Sequence, residues 1–158
     1  MRAWKLWSYC ALPCCIAVVA GCITTSRLIT VPSNDSLVRD QLVIHSNFSL
    51  PRHHRLVEEL VARRHDVIER LRLPVSDEPI HVYLFESAER FQAFMAQQYP
   101  DFPHRRAFFV ETDTRLTIFA HWGDRVAEDL RHEVTHGYLH TMVPGLPLWI
   151  DEGLAEYF

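Results

Sequence analysis

Apolar and polar residues alternate along this chain with two distinct periods, and the changes between them mark out the elements. Residues 42–48 give a first strand candidate. Pro51 then stands at a helix start, and residues 52–73 place Leu56, Val57, Leu60, Val61, Val67, Ile68 and Leu71 on one helical stripe before Pro74 closes it. Residues 80–85 are a strand of Val, Tyr, Leu and Phe type. Ser87 suits the cap of a helix running to about Gln98, with Phe91, Phe94 and Met95 inward. After a proline-bearing loop at 99–106, residues 107–111 and 116–120 read as a hairpin turning at Thr112-Asp113-Thr114. Asp124 is the expected cap of a helix reaching Met142 or Val143. Pro144, Gly145 and Pro147 interrupt it, and residues 148–158 start another. There is no internal repeat. This order predicts an α+β domain over residues 41–158, a small mixed or antiparallel sheet packed on helices. The pattern leaves the order of the strands open.

Upstream the material changes. Arg2 and Lys5 precede an apolar run over 9–20, broken by Pro13. A run of that length falls short of the roughly 20 residues of a membrane span and fits a secretion signal over residues 1–21. Val19-Ala20-Gly21-Cys22 resembles a bacterial lipobox, which implies cleavage before Cys22 and a lipid on its thiol. Ile23 follows, rather than the aspartate associated with inner-membrane retention, so the outer membrane is the expected address. The four cysteines stand at 10, 14, 15 and 22, so the mature chain keeps one and forms no internal disulfide. An ordinary signal peptide, or a short anchor, with Cys22 incidental is the rival reading. Residues 22–40, with Pro32, Ser33, Asn34 and Asp35, read as a tether.

Composition adds one exclusion. Without the signal segment, 14 arginines face 20 acids, a net charge of about −6, the opposite of a nucleic-acid binder. Arg63-Arg64 and Arg105-Arg106 read as solvated faces. Oligomeric state is not written in the sequence.

The candidate chemistry lies in the penultimate helix, in His132-Glu133-Val134-Thr135-His136. Four residues bring a helix nearly one turn round and about 6 Å along, so both imidazoles can reach one Zn2+ at about 2.1 Å. Glu133, rotated by roughly 100°, is placed as general base for the attacking water. Composition alone yields such a pattern about 0.04 times in a chain like this, and solvated or core histidines are the bland alternative. The Pro/Gly turn lets the next helix fold back, so that Glu152 supplies a third ligand and leaves the fourth position to water. Glu156, one turn on, is placed to accept the other ring N–H of a ligand histidine. Gly137 allows a close approach, Trp149 is expected in the core behind Glu152, and His140 is expected as a cleft-rim or capping residue.

The His-Glu-x-x-His helix followed by Pro-x-Trp-x-x-Glu-Gly-x-Ala-Glu resembles the gluzincin metallopeptidases, closest to the peptidase-MA-like domains often found on bacterial lipoproteins. The resemblance spans residues 124–158 and implies a zincin-like fold. It also implies one zinc on His132, His136 and Glu152, with Glu133 as base and Glu156 bonded to His132. A peptide or protein substrate would be bound by β-addition to an edge strand, for which Leu116, Thr117, Ile118, Phe119 and Ala120 are the candidates. The family normally continues past its second helix to an oxyanion-stabilising Tyr or His, whereas this sequence stops at Phe158. The expectation is therefore either a fragment or a minimal protein. Two functions follow: a lipid-anchored zinc peptidase of the cell envelope, or a non-catalytic envelope lipoprotein retaining the metal site for structure or interaction.

Overall fold

The computed structural model describes residues 28–158; the signal segment, Cys22 and the start of the tether lie outside the described residues. The elements run β1 (Asp35–Arg39), β2 (Leu42–Ser46), α1 (Arg55–Leu71), β3 (Ile80–Phe85), α2 (Ala88–Gln98), β4 (Ala107–Thr112), β5 (Arg115–His121), α3 (Val126–Met142) and α4 (Leu148–Tyr157). The strands form one sheet in the order β1-β2-β3-β5-β4. The three inner strands are parallel, and each outer strand is the antiparallel arm of a hairpin. The chain is thus α+β with a mixed sheet.

Strand side chains alternate between faces, so the sheet builds two cores. On one face Leu42, Ile44, Val82 and Ile118 pack with Leu56 and Leu60 of α1 and with Leu130 and Val134 of α3. On the other, Phe85 and Phe119 meet Phe91, Phe94 and Met95 of α2. Each fully buried aliphatic of this kind contributes about 1.5–3 kcal/mol. Two contacts fix α3 over the sheet. The Tyr138 hydroxyl donates to the Leu60 carbonyl at 3.0 Å. Gly137 lies against Ile80, whose side-chain carbons would stand 3.1 and 3.2 Å from any added Cβ.

Local chemistry explains where the elements start and stop. His54 caps α1 by accepting from the Leu56 amide, and Arg72 ends it in the left-handed region. The helix therefore begins after Pro51 and closes before Pro74. The Ser87 hydroxyl caps α2 as its position predicts. Asp124 does not cap α3: Arg125 takes that place without a side-chain bond, and the Val126 amide is held by the Gly123 carbonyl.

Three expectations are overturned. Asp35–Arg39 is a strand rather than tether, because Asp40, at φ 53°, turns the backbone and pairs it with β2. Arg64 is buried, not solvated: it sits between Leu60 and Val67 on the inward stripe, and its guanidinium pairs with Asp40 and Asp77. Leu116, Thr117, Ile118, Phe119 and Ala120 form no edge. β5 pairs with β3 on one side and β4 on the other, so the outer edge belongs to β4.

Candidate metal centre

α3 carries His132 and His136 one turn apart, and their rings stand nearly perpendicular with the Nε2 atoms 3.2 Å from each other. The turn at Gly145 reverses the chain, and α4 returns along α3 with Glu152 facing the two rings. Its Oε2 lies 3.6 Å from His132 Nε2 and 3.8 Å from His136 Nε2. These three ligand atoms lie within 4.8 Å of one another, the only such group of His, Cys, Asp or Glu among the described residues. Two ligand atoms each about 2.1 Å from a tetrahedral ion stand about 3.4 Å apart. The donor set and its spacing therefore fit one divalent ion.

Glu133 points into the same space from the next position on α3 and is buried. Burial raises its pKa to about 7, against the opposing pull of His136, of the Phe109 amide and of Arg105. Phe109, on β4, also lays its ring over His136 at 6.0 Å and sets it edge-on to His140 at 5.0 Å. Beside the pair lies a cavity of about 860 Å3 whose walls include Arg106, Arg131, His132, Glu133 and Phe158. Arg106 is already engaged by both carboxylate oxygens of Asp129.

The carboxylate that meets a histidine's second nitrogen is not Glu156. That residue is exposed on the cavity wall, with no hydrogen bond to His132 among the described residues. Asp151 takes a comparable place at the other histidine, its Oδ1 2.9 Å from His136 Nδ1, although the ring N–H points off the line between them. Its second oxygen lies 3.1 Å from His140 Nε2, and His140 Nδ1 lies 2.6 Å from Glu111 Oε2 on β4. Burial alone would lower the pKa of His140, but its bonds to Asp151 and Glu111 outweigh that and raise it. His140 is thus an internal bridge rather than a rim residue. The sequence did hold a sign of Asp151: an acid directly before Glu152 is turned toward α3 when Glu152 faces the metal. Glu111, at the end of a hairpin strand, carries no such sign.

Trp149 is 76 % exposed and is not core. The inward side of α4 is set by Asp151 and Ala155, four residues apart, which leaves Trp149 on the opposite side. Leu116 to Ala120 lie beneath α3 and do not border the site with their backbone. No protein-family model matches this chain, and a search of curated proteins finds no match to it in sequence.

Proposed function

We propose that this chain is a zinc-dependent peptidase with a zincin-like, gluzincin-type site. The observation that carries the reading is the convergence of His132, His136 and Glu152 from two helices on one point, with Glu133 buried beside it. Zinc held there would polarise a scissile carbonyl and lower the pKa of water toward about 7. Glu133 takes the proton of the attacking water and returns it to the leaving amine, for which a pKa near neutrality is suited. The outer backbone edge of β4 offers an extended peptide a strand to pair with, a role moved here from β5. Since the Phe109 amide reaches Glu133, a peptide laid along β4 passes across the base. A lipid on Cys22 would hold the domain in the cell envelope, at the outer membrane.

The test begins with metal analysis of the purified protein and a casein or peptide-library assay. Zinc near one per chain, lost in His132→Ala, with cleavage abolished in Glu133→Gln, is the expected result. Zinc without Glu133-dependent cleavage would leave a non-catalytic lipoprotein that uses the metal structurally. A metal content indifferent to His132→Ala would end the reading.

A further inference from the structure

Three arginines line the cavity beside the metal pair, and two of them are already committed. Arg106 is held by both carboxylate oxygens of Asp129, and Arg131 lies 3.2 Å from Glu59 on α1. The guanidinium of Arg105 has no hydrogen bond or ion pair among the described residues. We propose that Arg105 receives a carboxylate of the substrate and so sets the specificity of the peptidase reading, on which the proposal rests. The backbone that carries it is braced. The Gln92 amide of α2 donates to the Arg105 carbonyl at 2.8 Å, and Gln92 Oε1 lies 3.0 Å from His104 Nδ1. With Asp129 holding Arg106, the residues on both sides of Arg105 are tied down, and only its side chain is left uncommitted. Little backbone order is then lost on binding.

Its place in the chain says which part of a substrate it meets. β4 begins at Ala107, directly after the two arginines, and the Phe109 amide of that strand reaches Glu133. A peptide paired antiparallel with β4 would run its C-terminal part past Ala107 and into the cavity. A carboxylate within about four residues after the scissile bond then comes under Arg105. The guanidinium fork matches such a group with two parallel hydrogen bonds. Two sources carry it: an Asp or Glu side chain, and the free C-terminus of a short peptide. Apart from the base, the acids of the wall are Glu128, tied to Arg125, Asp129, tied to Arg106, and Glu156. Glu156 is the rival, since it would favour a substrate cation instead.

The experiment maps the cleavage sites of the purified, zinc-loaded protein in a peptide library by mass spectrometry, with half of the library blocked as C-terminal amides. kcat/KM is then measured on the best acidic peptide and on its amide isostere, for wild type, Arg105→Gln and Arg105→Lys. Sites should be enriched for Asp or Glu at one position after the cut, or confined to the unblocked half, which separates the two sources. Wild type should favour the acidic peptide by about 5- to 20-fold. Arg105→Gln should bring that ratio to about one, and Arg105→Lys, a charge without the fork, should keep part of it. Comparing two substrates on one enzyme cancels any effect of the substitution on Glu133 or on the loop. Wild type that binds zinc yet cleaves nothing would overturn the peptidase reading, and this inference with it. Three results would overturn the role of Arg105 alone: cleavage with no preference for a carboxylate, a preference that survives in Arg105→Gln, or a preference for Lys or Arg that Glu156→Gln removes.

Discussion

Glu133 is the residue on which chemistry and stability meet. Its carboxyl ordinarily titrates near 4.5, and burial in the folded, metal-free protein lifts it to about 7. The folded state therefore holds a proton that the unfolded state has released. The stability from that difference is complete below about pH 4.5 and is lost as pH rises through 7. At 1.36 kcal/mol per pKa unit the loss is about 3 kcal/mol. His140 acts with the same sign: its raised pKa makes its contribution complete below about pH 6.5, to be lost at higher pH. Metal-free wild type should thus unfold in urea less readily at pH 5 than at pH 8, and Glu133→Gln should flatten most of that slope. A variant as pH-dependent as wild type would show that Glu133 is not the buried acid described here. In the zinc-loaded protein Glu133→Gln should retain the metal and lower kcat by at least about 100-fold, the usual share of a general base.

At the scale of elements, Gly137 decides how closely α3 approaches β3. Alanine there would gain about 1 kcal/mol of helix propensity. Its Cβ would, however, meet Ile80 at 3.1 and 3.2 Å, and Ile80 is fully buried with little room to retreat. Overpacking costs about 1–3 kcal/mol, so the clash should win narrowly for Gly137→Ala and clearly for Gly137→Val. Thermal melts should rank wild type above Ala and Ala above Val; Val as stable as wild type would mean that α3 sits farther from the sheet. The approach was legible in the sequence, as were the caps at Ser87 and the hairpin at Asp113-Thr114, because each is set by residues close in the chain. What was not legible depended on distant partners. Periodicity tells which side of a segment is buried but not what buries it, so β5 looked like an edge until β3 and β4 closed both its sides. Arg64 falls on an apolar stripe, yet only the approach of Asp40 and Asp77 makes its burial tolerable. The nearness of His132 and His136 followed from one helical turn; the bridge through His140 required β4 and α4 to meet beside it.

For the whole molecule the weak joint is α4. It rests chiefly on α3, buries only Asp151 and Ala155, and gains one further link where Arg70 donates to the Tyr157 hydroxyl at 3.0 Å. So few buried apolar groups cannot hold a helix of this length, and local opening should cost much less than global unfolding. Of the two acids that link α4 to α3, Asp151 and Glu152, Glu152 is the one whose partner would be the ion itself. Zinc should therefore act on α4 more than on any other element, stitching it to His132 and His136. A ligand at 100 times its Kd stabilises the bound state by about 2.7 kcal/mol, equivalent to about 100-fold slower exchange through any opening that releases it. Hydrogen exchange should then show α4 amides slowed strongly by zinc, while α1 and the central strands, locked in the two apolar cores, change little in comparison. Glu152→Gln should weaken that protection at a given zinc concentration. Equal protection of α4 with and without zinc, in protein shown to bind the metal, would mean that packing alone already holds α4 in place.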